Sequence, residues 1–314
     1  MPASDISSPS LPSPGASEIS ENSEATSNTA YALRSDQEYL VTLQYRDASN
    51  LNARIALHQR FGHNTSPWQR WVFDQLIKAM QESPPRKGRV TTRVLEIGCG
   101  PARLWVENAD RIPPDWAITL VDLSAGMVDE ARQSIGVAFG PEQRIPFSFT
   151  VADAQSLPFA HETFDAVVAN HMLYHVPDRM KAISEIRRVL RAGAPLIAAT
   201  NGEAHLRELD ELAARFLPET AGANRHFSED FTLGNGADQL RASFASVEEL
   251  RFPGDLEVTE AEPVVAYMAS MVAVAPTNLL TEERREAIRA YVEQQIATHG
   301  AFHITRVSGL FIAR

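Results

Sequence analysis

The sequence predicts an α/β fold built on a doubly wound, mainly parallel sheet, and three observations carry that reading. From Arg93 onward, short apolar runs alternate with stretches of helical spacing. Several of those runs are apolar with little alternation, as strands covered on both faces are. The first run, "RVLEIG", breaks into Gly-Cys-Gly-Pro, the kind of turn that carries a strand into a helix beside a ligand.

The chain of 314 residues can bury a sizeable core as one large domain or two small ones. It shows no apolar run of about 18 residues, so no spanning helix is expected. No basic segment precedes an apolar stretch at the N-terminus, so the expected location is the cytoplasm. One cysteine, Cys99, excludes an internal disulfide framework and a Cys-rich metal site. A formal charge of −11, with no long Lys/Arg cluster, argues against a nucleic-acid partner. The expected partner is a small molecule, with no membrane, for a monomer or homodimer.

Residues 1–33 are rich in Ser, Pro, Ala and Glu and read as a disordered tail. Residues 34–88 form an N-terminal helical region. Within it, "SPWQRWVFDQLIKAMQ" places Trp68, Trp71, Val72, Leu76, Ala79 and Met80 at helical spacing. Ser66 is the expected N-cap, Pro67 the first helical residue, and Gln69 the partner in a capping box. Pro84 and Pro85 close the helix.

The domain over 89–314 begins with strands at "RVLEIG", "WAITLVDL", "PFSFTVA", "FDAVVANHM" and "APLIAAT". Helices fall between them near 102–110, 124–135 and 178–191, the last with Asp178 as cap and Gly193 just past its end. A helical insertion follows at 203–235, then helices near 236–243, 261–273 and 281–298. "SVEELRF" reads as a sixth strand and "FHITRVSGLFIA" as one continuous final strand.

The glycine turn tests the choice of ligand. A dinucleotide fingerprint needs a third glycine, but Arg103 stands there, and Pro101 has no N–H to offer a pyrophosphate. In order and spacing, "LEIGCGPAR", "VDLSAGM" and "VADAQSLPFAHETFDAVVANHMLYHVPD" resemble the motifs of class I S-adenosylmethionine-dependent methyltransferases. The likeness is closest to the bacterial small-molecule branch that contains the ubiquinone/menaquinone-type methyltransferases. It covers residues 90–200 in motif detail and continues in strand order to the C-terminus.

That resemblance implies a Rossmann-like, doubly wound, mainly parallel seven-stranded sheet with an antiparallel last strand. It also implies an N-terminal helical lid and a helical insertion after the fifth strand. The implied activity is methyl transfer from S-adenosyl-L-methionine to an O, N or C atom of a small molecule, such as a secondary metabolite or quinone-like compound. Glu96 would organise the glycine loop near the methionine end, and Gly98, Cys99 and Gly100 would let backbone approach the cofactor. Of these, Cys99 reads as a small buried side chain rather than a reactive thiol. Asp122 would accept from both ribose hydroxyls, with Leu123 and Met127 near the adenine. Asp153, Ala154 and Gln155 would meet the adenine edge, and Asn170 the methionyl part.

Candidate catalysts are His171 and His175, whose imidazoles titrate near neutrality, and Tyr45 from the lid; Arg54, Arg60 and His63 are further lid candidates. Amino-methylating relatives read Asn/Asp-Pro-Pro-Tyr/Phe where this chain has Asn-His-Met-Leu, which disfavours adenine and glutamine acceptors. Phe216, His226, Phe227 and Phe231 of the insertion are the expected substrate-selecting group. A second reading is a non-catalytic S-adenosylmethionine-binding regulatory or partner protein.

Overall fold

The computed structural model describes residues 56–62, 66–83, 88, 91–140, 145–220, 230–272 and 279–314. The expected tail at 1–33 and the first part of the N-terminal helical region lie outside them. Seven strands form the main sheet: β1 (Thr92–Ile97), β2 (Trp116–Asp122), β3 (Phe147–Val151), β4 (Ala166–Asn170), β5 (Leu196–Asn201), β6 (Val247–Phe252) and β9 (Ser308–Ala313). Their order is β3-β2-β1-β4-β5-β9-β6, and β9 runs antiparallel to both neighbours. The order turns outward in both directions from the β1/β4 pair, the point where such sheets bind ligands.

Successive side chains on a strand point to opposite faces, so the unbroken apolar runs fill two cores. Leu95 and Ile97 pack on one face with Ile183 and Ile186 of α4 (Arg179–Val189). Val94 and Val168 pack on the other with Phe73 and Leu76 of α1 (Trp68–Gln81), and with Trp105 of α2 (Arg103–Val106). Helix α3 (Ala125–Phe139) is capped by Ser124, whose Oγ accepts from Met127 N at 3.3 Å. As the sequence indicates, Asp178 caps α4, accepting from Lys181 N at 3.0 Å.

A third cluster joins the segment at 56–61, α5 (Arg207–Phe216), α7 (Ala261–Val272) and α8 (Glu282–His299) to a two-stranded ribbon of β7 (Leu256–Val258) and β8 (Phe302–Ile304). Helix α6 (Gly236–Arg241) sits instead on the sheet.

Four expectations change. Helix α1 has Pro67 at its N-cap position, which has no side-chain acceptor to form a cap bond and no N–H for a capping box, and the Gln69 carboxamide turns to Asn170. Helix α2 is one turn long: Asn108 Nδ2 donates to Leu104 O at 2.8 Å and Gln69 O at 3.1 Å, taking up a carbonyl that further helix would have used. The final strand splits into β8 and β9. Three successive amides between them donate to side chains rather than to a neighbouring strand: Thr305 N to Glu208 (2.7 Å), Arg306 N to Asp255 (2.9 Å) and Val307 N to His205 (3.2 Å). Finally, the insertion's aromatics are packing groups. Phe231 is fully buried against Phe311, and Phe216 stacks on Tyr291 of α8. His226 and Phe227 lie outside the described residues.

At the opposite end of the sheet from the site, Asp165 is buried. It accepts from Arg93 N at 2.9 Å and from Arg191 Nε at 2.6 Å. Breaking a buried pair from one side leaves the other charge uncompensated, so Asp165→Ala should lower unfolding free energy by about 3–5 kcal/mol. Urea denaturation measures this, and a loss below about 1 kcal/mol would contradict the buried pairing.

Candidate functional site

The turn after β1 is shaped by glycine. Gly98 and Gly100 have φ of 65° and 50°, and a Cβ at Gly98 would lie 2.6 Å from the Cβ of Met172. A Cβ at Gly100 would meet nothing within 4 Å, so the turn opens onto free space. Asp122, at the end of β2, accepts from Gly100 N and Ser124 N at 2.9 Å each, tying the two turns together. Burial raises its pKa, and those backbone amides, with that of Leu123, offset only part of the rise. Burial pushes the Cys99 thiol well above its usual range, helped by Asp122 and Glu96, so it stays protonated and unreactive.

Glu96 faces the core beneath the turn, where its Oε2 accepts from Trp105 Nε1 at 2.6 Å. Burial lifts its pKa to about 8, against the opposing Trp105 bond and with help from Asp122. The carboxyl is therefore mostly neutral at pH 7.

Beyond β3, Asp153 takes two bonds from Gln155 Nε2 at 3.0 and 2.8 Å, and Gln155 Oε1 accepts from Asp178 N at 3.0 Å. Ala154 and Met127 are buried, and Leu123 is half-buried between Asp122 and the helix cap. At the end of β4, Asn170 pins α1 across the sheet: its Oδ1 accepts from Trp68 Nε1 at 3.2 Å, and its Nδ2 donates to Gln69 Oε1 at 3.1 Å. His171 follows with φ of 59°, a left-handed conformation costly for a residue with a Cβ. That turn brings its ring 4.9 Å from Trp68. His175 lies on the next 3-10 turn, Leu173–His175, with its ring 4.5 Å from Tyr174. Of the lid candidates, Arg60 is ion-paired with Glu260 at 2.7 Å on the surface; Tyr45, Arg54 and His63 lie outside the described residues.

Three residues that sequence reasoning passes over join this end of the sheet. His58 and His205 stack with ring centroids 5.7 Å apart and planes within 5°. Arg306 is buried, with its guanidinium 4.5 Å over the Phe252 ring. Burial depresses His58 and His171 to pKa about 4, and Arg306 and His171 push His58 further the same way. His205 is pushed well below its usual value by burial, then by His58, His171 and Arg306. All three imidazoles are half-buried. No spacing links positions 58, 171, 205 and 306; only the folded topology brings them together.

Comparison with known proteins identifies the family and the fold. The family described as "Methyltransferase domain" matches residues 95–198. A malonyl-[acyl-carrier protein] O-methyltransferase of Enterobacter lignolyticus is 30% identical over 224 residues, covering 68% of this chain and 79% of that protein. A ubiquinone/menaquinone biosynthesis C-methyltransferase of Geobacter sulfurreducens is 34% identical over 101 residues, 32% of this chain and 38% of its own. Among solved structures, the [4+2]-cyclase SpnF shares the fold with a TM-score of 0.51 at 18% identity, covering 88% of this chain and 96% of its own. The chain belongs to the class I S-adenosylmethionine-dependent methyltransferases. It is an enzyme with S-adenosylmethionine as its cofactor.

The residues present fit that cofactor. The Asp122 oxygens accept backbone bonds from Gly100 and Ser124 and retain acceptor capacity for a diol. The space over Gly100 admits a ligand where a side chain would stand. Among the described residues, no helix is long and apolar enough to cross a membrane.

The folded pKa of Glu96 lies above that of a free carboxyl, so its contribution to stability is present below about pH 4.5 and is lost as pH rises through about 8. Glu96→Gln keeps an acceptor for Trp105 and removes the ionisation. Urea denaturation at pH 5 and pH 8 should show a smaller fall in stability for the variant than for the parent. An identical fall in both would show that Glu96 ionises freely.

Proposed function

We propose that this methyltransferase acts on an oxygen of a small-molecule acceptor held at the carboxyl ends of β4 and β5, under α1. The observation that carries the reading is the adjacency of two half-sites. The open glycine turn and Asp122 lie at the ends of β1 and β2. Asn170, at the end of the neighbouring β4, leads into His171, which meets Trp68 and lies within electrostatic reach of the two further histidines. The O-methyltransferase named above supports oxygen as the acceptor atom.

In this reading Asp122 accepts from the ribose hydroxyls and the Gly98–Gly100 backbone lies against the methionyl portion. Leu123 and Met127 flank the adenine, whose edge meets Asp153, the Ala154 amide and Gln155. Glu96 stiffens the turn from below, through Trp105, and the Asn170 backbone faces the methionyl group. The region over 34–88 serves as the lid in this reading, and its helix α1 is docked through the two side-chain bonds of Asn170. The bound cofactor supplies an electrophilic methyl on a sulfonium; the chain holds the acceptor in line and excludes water.

His171 stands beside the Trp68 ring as a neutral group of low basicity. It therefore orients the acceptor by hydrogen bonding and serves acidic oxygens that arrive already ionised. His175, packed on Tyr174, orders the loop.

Two measurements test this. Asp122→Ala should weaken S-adenosylhomocysteine binding by about 1–3 kcal/mol, roughly 5- to 150-fold, with Asp122→Asn in between. Calorimetry gives the constants, and unchanged affinity would remove the ribose role. Purified protein with S-adenosylmethionine and a metabolite extract should add one CH2 to an oxygen-bearing compound. Tight S-adenosylhomocysteine binding with no methylated product would overturn the proposed acceptor chemistry.

A further inference from the structure

We propose that Arg306, with the stacked His58 and His205, forms an anion-binding end of the acceptor site and takes a carboxylate of the acceptor, remote from the atom that is methylated. The inference rests on the acceptor site proposed above and adds the chemical class it selects.

The starting point is a buried cation with no directly paired carboxylate among the described residues: burial disfavours its charge, and Asp255 favours it only through space. Arg306 Nε donates to Gly254 O and Nη2 to Pro253 O, both at 2.7 Å, and Nη1 has no hydrogen bond among the described residues. Nor does Arg306 form an ion pair among them. Its carboxylate neighbour, Asp255, is already engaged: Oδ1 accepts from the Arg306 backbone N at 2.9 Å, and Oδ2 lies 3.1 Å from His303 Nε2. Backbone carbonyls satisfy donors but bring no negative charge, and a buried guanidinium left so is costly.

The histidines add directional donors. Val307 N donates to His205 Nδ1, which fixes the neutral tautomer with its proton on Nε2. Ser308 Oγ, 3.4 Å from the same nitrogen, donates at 2.8 Å to Asn201 Oδ1. Among the described residues neither His205 Nε2 nor the His58 ring has a hydrogen-bond partner. Burial keeps both imidazoles uncharged, so each offers one N–H and no positive charge. The site thus presents one positive charge and several N–H groups, which suits a planar monoanion better than a phosphate dianion.

The remaining wall is aromatic. Phe252 lies under Arg306 and meets Trp68 edge-on at 5.1 Å, and Trp68 in turn approaches His171 at 4.9 Å. His58 and His205 each lie within electrostatic reach of both Arg306 and His171, which ties the cationic end to the end beside the glycine turn. An acceptor with its carboxylate on Arg306 and an apolar body along Phe252 and Trp68 would bring its other end to His171.

The test uses benzoate and inorganic phosphate as probes of the full chain saturated with S-adenosylhomocysteine. Binding is followed by the Cε1–H NMR signals of the histidines, those of His58 and His205 being assigned by their loss in His58→Asn and His205→Asn. Benzoate should shift both signals saturably. Arg306→Gln should weaken that binding about 10-fold or more, with Arg306→Lys, which keeps charge but loses the planar fork, in between. S-adenosylhomocysteine affinity should stay unchanged in both variants, which reports an intact fold. No saturable shift in the parent protein, or equal benzoate affinity in Arg306→Gln, would overturn the proposal. Phosphate binding tighter than benzoate would overturn the carboxylate assignment. Saturable benzoate binding without any methylated product from the extract would sink the proposed acceptor chemistry and leave this site standing.

Discussion

A parallel sheet roofed on both faces has little room for polar side chains along its strands. The middles of β1, β4 and β5 are mostly buried and apolar, so much of the chain's chemistry is pushed to the strand ends, where the backbone turns toward solvent. Asp122, Asn170 and Asn201 each occupy the last residue of a strand. Glu96 is the exception inside β1. It is tolerated because it gives up its charge and because an indole N–H satisfies one of its oxygens.

The two halves of the site are held by different means. On the β1–β2 side, backbone turns are fixed by a carboxylate, and Asp122 sets the loop and the start of α3 at once. On the β5–β9 side, side chains substitute for a missing strand: Glu208, Asp255 and His205 each take one amide of the Thr305–Val307 link. That link turns Arg306 inward instead of letting β9 begin three residues earlier. Between the halves, Asn170 is the common post, bonded by its side chain to α1 and followed at once by the strained His171.

Much of this was legible in the residues. Unbroken apolar runs marked the central strands, and Ser/Asp-type caps such as Asp178 marked helix starts, because both signals are local. The glycine turn and its acids were legible because they lie close together in sequence around the first strands. What escaped was non-local. Gln69 fits a capping box by spacing, but Asn170, 101 positions away, offered it a better partner. "FHITRVSGLFIA" reads as one strand until side chains from 205, 208 and 255 arrive to claim its amides. Phe231 looks like a ligand platform in an insertion, yet it fills the core against Phe311. His58, His205 and Arg306 carry no shared motif, and their meeting is a product of topology alone.

The four tryptophans fall into two pairs. Trp105 and Trp116 meet edge-on in the core beside Phe73, and Trp105 is bonded to Glu96, a carboxyl that burial brings to a pKa of about 8. Trp68 and Trp71 instead pair beside the proposed acceptor site, with Trp68 against both His171 and Phe252. A change in the proton on Glu96 thus alters the surroundings of Trp105, and a molecule entering beside His171 alters those of Trp68. Interior charge and acceptor occupancy each fall beside a different indole of the same chain.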